Sequence, residues 1–299
     1  MTDETASACR VCGGTASDVA YEGPVRLGGF GRSAPGVVRR CRACGTEALE
    51  GPALVPPEHY ATSEYRTIVG EGTQAADFFK LHDGEQFAKV PFLANLLVRG
   101  HRVADIGCAA GSFLDMVSGL AGATIAIEPA RSYHDSLRER GHEPYPDIDA
   151  AMPRWGHQVD LAVSFSVIEH VDDPVGFLAG IRRLVKPGGA LLVSTPNLRD
   201  VLMQVGGPAY RGFFYRHVHR FYFEADSLAT AMKAAGFEAT EVRYHHRFGL
   251  ANFSNWLRDG RPTGNTGSEV FDPAFDASWK LDLEARGLAD YLYVTARAV

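Results

Sequence analysis

Two pairs of cysteines near the N-terminus have the spacing of a metal site. The pairs, each followed by a glycine, are Cys9-x-x-Cys12-Gly13 and Cys41-x-x-Cys44-Gly45. A two-residue gap allows both sulfurs of a pair to reach one tetrahedral ion, and the glycine permits the tight turn that follows. Four protein ligands leave no position for a substrate, so the sequence predicts a structural zinc ion. Four reduced cysteines without metal, or a catalytic zinc, are the alternatives.

A second pattern is a run of small residues after an apolar strand, Val103-Ala104-Asp105-Ile106-Gly107-Cys108-Ala109-Ala110-Gly111. Gly107 and Gly111 let the backbone approach a ligand, and a helix beginning near Ser112 offers free N–H groups to polar ligand atoms. A carboxylate at Glu128, where the next strand ends, can accept hydrogen bonds from both hydroxyls of a ribose. Because the run lacks the G-x-G-x-x-G arrangement, a dinucleotide dehydrogenase is disfavoured.

Short apolar strands alternate with helices from Arg102 onward, which is the pattern of a parallel α/β sheet. We predict strands at Arg102–Ile106, Thr124–Glu128, Asp160–Phe165, Ala190–Ser194, Phe237–Tyr244 and Tyr291–Ala298. We predict helices at Ser112–Leu120, Arg131–Arg140, Pro174–Leu184 and Glu224–Ala235, and a turn at Lys186-Pro187-Gly188-Gly189. Apolar residues at helical spacing between positions 61 and 100 predict helices that lead into the sheet.

The composition is ordinary for a globular protein and disfavours nucleic-acid and membrane partners. The chain has 299 residues, a formal net charge of -6 at pH 7 and 45% hydrophobic residues. A nucleic-acid footprint usually needs a basic face, and the dense basic cluster near the N-terminus is limited to Arg39, Arg40 and Arg42. No apolar run reaches the ~20 residues of a membrane span, and the polar start of the chain is unlike a secretory signal. We therefore expect a soluble, cytoplasmic protein.

Four motifs together resemble class I S-adenosylmethionine-dependent methyltransferases. Residues 105–111 are similar to the family motif D-x-G-x-G-x-G, with Ala109 in place of the middle glycine. The stretch Asp160–Asp172 resembles the fourth-strand motif of small-molecule members, and Leu184–Gly189 resembles the turn before their fifth strand. Ser194-Thr195-Pro196-Asn197 is similar to the following segment in ubiquinone-biosynthesis-type O-methyltransferases. The resemblance implies S-adenosylmethionine as the cofactor and a Rossmann-like, seven-stranded α/β sheet with helices on both faces.

The N-terminal part resembles a second group, the zinc-containing sugar C-methyltransferases of antibiotic pathways. The features that carry this resemblance are the paired cysteine knuckles followed by Glu58-His59-Tyr60 and Ser63-Glu64-Tyr65. It implies a natural-product or sugar-type biosynthetic intermediate as the methyl acceptor.

The methyltransferase resemblance also implies which residues hold the cofactor. Asp105, Gly107 and Gly111 would contact its methionine part, directly or through backbone and water. Glu128 would bind the ribose, and Asp147 would reach the adenine. The other candidates for this site are Cys108 in the loop and, at the end of the fourth strand, Phe165 and Ser166. For Cys108, the role of a small filler is favoured over that of a nucleophile.

Transfer of a methyl group to a hydroxyl usually requires a base, and two clusters offer one. Glu169 and His170 follow the fourth strand, at the edge where open α/β sheets bind ligands. In quinone-type relatives such residues hold a divalent metal; the alternative is that His170 caps a helix or packs beneath the cofactor. His217 and His219 would share one face of an extended segment, and either could be the base. Ordinary pocket-wall or surface positions are the alternative for both.

We predict three regions: a zinc-binding module at 1–60, a helical linker or lid at 61–100, and a methyltransferase domain at 101–299 with insertions at 197–223 and 246–288. The expected function is O-, N- or C-methylation of a small molecule by a monomer or homodimer. A zinc-containing RNA base methyltransferase and a non-catalytic cofactor-binding scaffold are the alternatives. The acidic charge disfavours the first, and the intact cofactor residues disfavour the second.

Overall fold

The computed structural model describes residues 8–50, 62, 74–267 and 269–299. The segments Glu58-His59-Tyr60 and Ser63-Glu64-Tyr65 lie outside the described residues. The chain divides into two compact units. The first unit is Met1–Val55, Thr195–Thr230 and Val242–Tyr293; the second is Pro56–Ser194, Ala231–Glu241 and Val294–Val299.

The strands of the described residues are β1 (Ser17–Arg26), β2 (Ser33–Cys41), β3 (Glu47–Glu50), β4 (Arg102–Ile106), β5 (Ala123–Ile127), β6 (Glu143–Tyr145), β7 (Val159–Phe165), β8 (Val185–Pro196), β9 (Phe221–Tyr222), β10 (Phe237–His245) and β11 (Tyr291–Ala298). They form two sheets. One has four strands in the order β1-β2-β3-β9, and the other has seven in the order β10-β11-β8-β7-β4-β5-β6. The predicted seven-stranded Rossmann-like sheet is therefore confirmed.

The α-helices of the described residues are α1 (Ala75–Gln86), α2 (Val90–Leu93), α3 (Ser112–Ser118), α4 (His134–Glu139), α5 (Ile148–Trp155), α6 (Pro174–Leu184), α7 (Val201–Val205), α8 (Gly207–Phe214), α9 (Ala225–Ala234), α10 (Leu250–Asp259) and α11 (Pro273–Ala285). Single turns of 3-10 helix at Phe87–Lys89 and Arg131–Tyr133 precede α2 and α4. None of the described helices combines the length and the apolarity needed to cross a bilayer.

The core of the second unit is a parallel array in which β4 pairs with β5 and β7, β5 with β6, and β7 with β8. Strand β7 is buried from Val159 to Ser164, and β5 is buried after its first residue. Continuous burial is the pattern of a parallel sheet that is covered on both faces. Helices α5 and α6 begin where Asp147 and Asp173 accept hydrogen bonds from the N–H groups of the first turn.

One predicted turn takes a different form. Helix α6 ends at Leu184, as expected, but β8 already begins at Val185. The register of β7 and β8 jumps from Val159↔Val185 to Leu161↔Ala190, so the Lys186–Gly189 segment bulges out of β8 rather than preceding it. Gly188 makes this possible because its φ of 72° is a conformation that favours glycine.

The core of the first unit forms where the antiparallel four-stranded sheet packs against helical segments. Val25, Val38 and Leu49 come from the sheet and are buried. They belong to a cluster that also contains Leu198, Leu202, Met203, Tyr210, Phe214, Tyr215, Tyr222 and Trp256. The two predicted insertions thus supply the apolar partners of the N-terminal sheet. The helices inside them, α7, α8, α10 and α11, are not predicted by the sequence pattern. Helices α7 and α8 have only five and eight residues, and the apolar residues of α11 do not follow a clear helical period.

Candidate functional site

The carboxyl ends of the parallel strands carry most of the predicted ligand-binding residues. From β4 the chain proceeds to β5 and β6 on one side of the sheet, and then to β7 and β8 on the other. The order therefore reverses between β4 and β7, and open α/β sheets bind ligands outside the strand ends at such a point.

The loop between β4 and α3 requires glycine at two positions. Gly107 and Gly111 have φ values of 83° and 90°. A Cβ atom at Gly107 would lie 2.4 Å from Val167 Cγ2, and one at Gly111 would lie 2.5 Å from Leu137 Cδ2. Both positions thus combine a left-handed backbone with a space that admits no side chain. The result is a close backbone turn in front of the N-terminus of α3.

Glu128 holds this loop in place. It lies one residue beyond β5 and is buried. Its Oε2 accepts the Ala109 N–H at 2.8 Å, and its Oε1 accepts the Ala130 N–H at 2.8 Å. Ala109 has a φ of 49°, which is unusual for a residue with a Cβ atom, and the bond to Glu128 helps to stabilise that conformation. A carboxylate oxygen has two lone pairs, so a carboxylate can accept more than one hydrogen bond at each oxygen.

Asp105 and Lys89 are residues of opposite charge, and both belong to the second unit. Asp105, in β4, is buried. Burial raises the pKa of Asp105 to about 7; the charge of Lys89 opposes this shift, and the charge of Glu128 adds to it. Burial lowers the pKa of Lys89, while the charge of Asp105 opposes that shift. Lys89, Asp105 and Glu128 thus bring a cation and two acids together in surroundings of low polarity.

Lys89 is a residue that the motif-based reasoning missed. Its ammonium lies 4.3 Å from the ring centroid of Phe165 and donates a hydrogen bond to Gln86 Oε1 at 2.8 Å. The sequence signal is a lysine directly before the most apolar part of the stripe that leads into the sheet, Val90–Leu93. A charged side chain at such a position is costly unless it has a partner or a ligand.

Phe165 is the last residue of β7, and Ser166 follows it directly. The Phe165 ring meets Phe113 of α3 edge-on, with 5.0 Å between centroids. Ser166 has a φ of 56°, and its N–H donates to Ser194 O at 2.9 Å. A non-glycine residue held in the left-handed region at a strand end is a feature that often accompanies ligand sites.

The two remaining cofactor candidates, Cys108 and Asp147, and the neighbouring Ser112 differ in their surroundings. Cys108 is buried, and burial raises the pKa of its thiol well above the ordinary value, which favours a packing role over a nucleophilic one. Asp147 is exposed, and its Oδ1 accepts the Ala150 N–H at 2.8 Å as the cap of α5. Ser112, at the start of α3, is buried, and its Oγ has no hydrogen-bond partner among the described residues.

Glu169 and His170 belong to the second unit and lie in the turn after β7. Glu169 is buried, and His170 is half-buried. The His170 N–H donates to Val167 O at 2.9 Å. Asp173, not His170, caps helix α6, because its Oδ1 accepts the Gly176 N–H. The helix-capping alternative for His170 is therefore wrong.

His217 and His219 belong to the first unit. The expectation that they share one face of an extended segment is wrong, because the His219 N–H donates to Arg216 O at 3.0 Å and closes a turn. His219 is buried beside the Tyr222 ring, with 5.8 Å between centroids. His217 is half-buried, and its Nδ1 lies 3.2 Å from Arg26 O. Since a carbonyl only accepts, Nδ1 carries the proton and Nε2 keeps a lone pair.

The four N-terminal cysteines converge on one point in the first unit. Their Sγ atoms all lie within 4.8 Å of one another. Cys9 and Cys44 are 3.7 Å apart, and Cys12 and Cys41 are 3.6 Å apart. A tetrahedral ion with metal–sulfur bonds of ~2.3 Å requires sulfur–sulfur distances of about 3.8 Å. The two knuckles match in shape, because Gly13 and Gly45 have φ values of 75° and 76°.

Comparison with known proteins adds independent information. Residues 81–242, more than half of the chain, match the family described as "Methyltransferase domain". A probable S-adenosylmethionine-dependent methyltransferase of Mycolicibacterium smegmatis is 29% identical over 194 residues, covering 62% of this chain and 70% of that protein. A ubiquinone biosynthesis O-methyltransferase of Burkholderia thailandensis is 29% identical over 196 residues, covering 59% of this chain and 84% of that protein.

Among solved structures, a similar fold occurs in the complex of the Haloferax volcanii Trm112 methyltransferase activator with a methyltransferase. The TM-score is 0.53 at 17% identity, and the match covers 75% of this chain and 95% of that chain. At 17% identity, this similarity indicates a shared fold and says nothing about a shared function.

The raised pKa of Asp105 predicts a pH dependence of stability. Burial shifts this pKa from 3.8 to about 7, so the folded chain keeps a proton that the unfolded chain loses above about pH 4. The resulting stabilisation is fully present below about pH 4 and is lost as the pH rises through about 7. We expect Asp105→Asn to gain stability relative to the wild type as the pH rises from 5 to 8, as measured by urea unfolding. The exposed Asp83→Asn variant is the control, and a stability difference for Asp105→Asn that does not change with pH contradicts the prediction.

Proposed function

We propose that this chain, which belongs to the methyltransferase-domain family and is an S-adenosylmethionine-dependent enzyme, methylates a small molecule. The observation that carries the cofactor assignment is the carboxylate of Glu128, held by the N–H groups of Ala109 and Ala130 beside a loop with two obligatory glycines. Relatives that act in ubiquinone biosynthesis and the net charge of -6 support a small-molecule acceptor over a nucleic acid.

The second unit supplies groups that suit the charges and the hydroxyls of the cofactor. When bound, S-adenosylmethionine supplies an activated methyl group on a sulfonium. Glu128 would accept hydrogen bonds from the ribose hydroxyls, and Asp147 would face the adenine. Lys89 and Asp105 offer opposite charges to the carboxylate and the ammonium of the methionine part. Gly107 and Gly111 permit the close backbone turn that carries the loop past the ligand, and Ser112 Oγ is a further donor at the start of α3.

Glu128 provides the direct test of cofactor binding. Loss of its buried hydrogen bonds in Glu128→Ala is expected to weaken binding of S-adenosylhomocysteine by about 1–3 kcal/mol. The measurement is isothermal titration calorimetry on folded protein. Glu139→Ala removes the same side chain from the exposed surface of α4 and should bind like the wild type. Equal affinities of the two variants would show that Glu128 does not contact the cofactor.

We further propose His217 as the base that takes a proton from a hydroxyl acceptor. Its Nδ1–H faces the Arg26 carbonyl, which leaves the lone pair on Nε2. Burial lowers the pKa of His217, and the charge of Arg216 lowers it further, while the hydrogen bond to Arg26 O opposes the shift. The imidazole is therefore neutral at neutral pH and able to accept a proton. His219, and the pair Glu169 and His170, are the alternative candidates.

The base assignment predicts a selective loss of turnover. Asn at position 217 can keep an N–H toward the Arg26 carbonyl but has no group in place of Nε2. We expect His217→Asn to lower kcat by about 10²–10⁴-fold with unchanged affinity for S-adenosylhomocysteine. His219→Asn, measured beside it, should retain most of the activity. The reverse ranking of the two variants would assign the role to His219.

The acceptor class is tested by release of S-adenosylhomocysteine from the wild-type enzyme. The panel contains phenols and catechols, nucleotide-linked sugars and total tRNA. We expect turnover with at least one small molecule and none with tRNA. Turnover of tRNA alone would favour the RNA methyltransferase, and binding of cofactor without any turnover would favour a scaffold.

We propose zinc as the ion held by the four cysteines. Four sulfur ligands that lie within 4.8 Å of one another favour zinc over harder cations and leave no open position, so its role would be structural. Strand β2 ends at Cys41, which places one knuckle directly on the four-stranded sheet.

Zinc binding predicts loss of both metal and stability in Cys41→Ser. We expect metal analysis to find about one zinc per wild-type chain and much less in the variant, with a lower melting temperature. The fifth cysteine gives a matched control, since Cys108→Ala should keep the metal. A full zinc content in Cys41→Ser, or none in the wild type, would refute the site.

A further inference from the structure

Two arginines of the first unit lie side by side at the end of β1. Arg26 is the last residue of β1 and pairs with Arg216 in a parallel β-bridge. The Arg26 N–H donates to Tyr215 O at 3.0 Å, and the His217 N–H donates to Arg26 O at 2.9 Å. Residues paired across a bridge project from the same face, so the backbone fixes the two guanidinium groups as neighbours.

No acid balances these charges within the part of the chain that the structure describes. The Nε–H groups of Arg26 and Arg216 are buried and have no hydrogen-bond partner there. Other arginines of the same unit are paired: Arg39 with Glu50, Arg40 with Glu224, and Arg42 with Asp18. Burial lowers the pKa of Arg26 to about 9, and the charge of Arg216 adds to this shift. Two adjacent half-buried cations without a counter-charge are costly, and an anion would remove that cost.

Neighbouring side chains hold Arg26 and Arg216 in positions that suit binding of an anion. The Arg26 guanidinium lies over the Phe213 ring, 3.8 Å from its centroid, so the stack fixes its plane and leaves its edge free to donate. The Arg216 backbone is fixed by Tyr222, whose hydroxyl accepts the Arg216 N–H at 2.8 Å and donates to Arg216 O at 3.0 Å. Planar guanidinium groups held in this way suit the paired oxygens of a phosphate or carboxylate.

An aromatic surface adjoins the pair. Phe30 is 54% exposed, and its ring lies 6.2 Å from those of Phe213 and Trp256. A small inorganic ion would leave this surface uncovered, whereas an organic ligand could contact both the ring and the charges.

We propose that Arg26 and Arg216 bind the phosphate or carboxylate group of a small organic ligand whose apolar part contacts Phe30. This anion site lies wholly in the first unit and does not depend on methyl transfer or on the cofactor. Its test is therefore a binding measurement that remains informative even if no methyl acceptor is found.

The probes are phenyl phosphate, benzoate and, as the uncharged control, benzyl alcohol. We expect saturable binding of at least one anion by calorimetry and no binding of benzyl alcohol; the stronger anion identifies the phosphate or carboxylate class. Arg26→Gln and Arg216→Gln should each weaken that binding by about 10- to 100-fold. Arg32→Gln removes the same charge from an exposed position of the same unit and should bind like the wild type.

Stability gives a second readout. Because each substitution relieves the repulsion within the pair, Arg216→Gln should melt no lower than the wild type without ligand, but should lose the stabilisation that the anion provides. Arg216→Lys keeps the charge without the planar fork, and binding should fall between the wild type and Arg216→Gln. The proposal is overturned if neither anion binds, or if Arg26→Gln and Arg216→Gln bind as well as Arg32→Gln.

Discussion

The hydrogen bonds from two backbone N–H groups to the buried carboxylate of Glu128 are the constraint on which the second unit depends. They connect the end of β5 to the loop after β4, and so fix the spacing of two neighbouring strand ends. Without them, Ala109 would hold a left-handed backbone with little compensation. The same carboxylate is the proposed ligand of the ribose, so one side chain would link folding to binding.

The sequence predicted the parallel sheet well because its strands are short apolar runs with clear ends. Strands β4 and β11 begin and end at the predicted residues, and helix α6 does too. The residues within and beside each of these elements specify it: apolar residues form its buried part, and glycines or capping residues mark its ends. The cysteine knuckles are equally local, since each needs only a two-residue gap and a glycine. The family assignment followed from the same local motifs and is confirmed by the match over residues 81–242.

Features that depend on distant parts of the chain were not predictable in this way. Lys89 acquires its role from Phe165 and Asp105, which no short motif connects to it. The arginine pair exists only because Arg26 and Arg216, far apart in sequence, meet in a bridge. His217 and His219 were expected on an extended segment, but the hydrogen bond from His219 N–H to Arg216 O selects a turn. The roles proposed for these residues stay predictions.

The discontinuous makeup of the first unit has a consequence for biosynthesis. Strand β3 completes its pairing with β9, which leaves the ribosome only after most of the chain has been made. Until then the apolar face of the N-terminal hairpin lacks the partners that later bury Val25, Val38 and Leu49. The second unit's parallel strands β4 to β8 can all emerge in that interval, so vectorial translation favours their assembly first. An early metal ion on the two knuckles would close the hairpin and shorten the exposure of that face during translation.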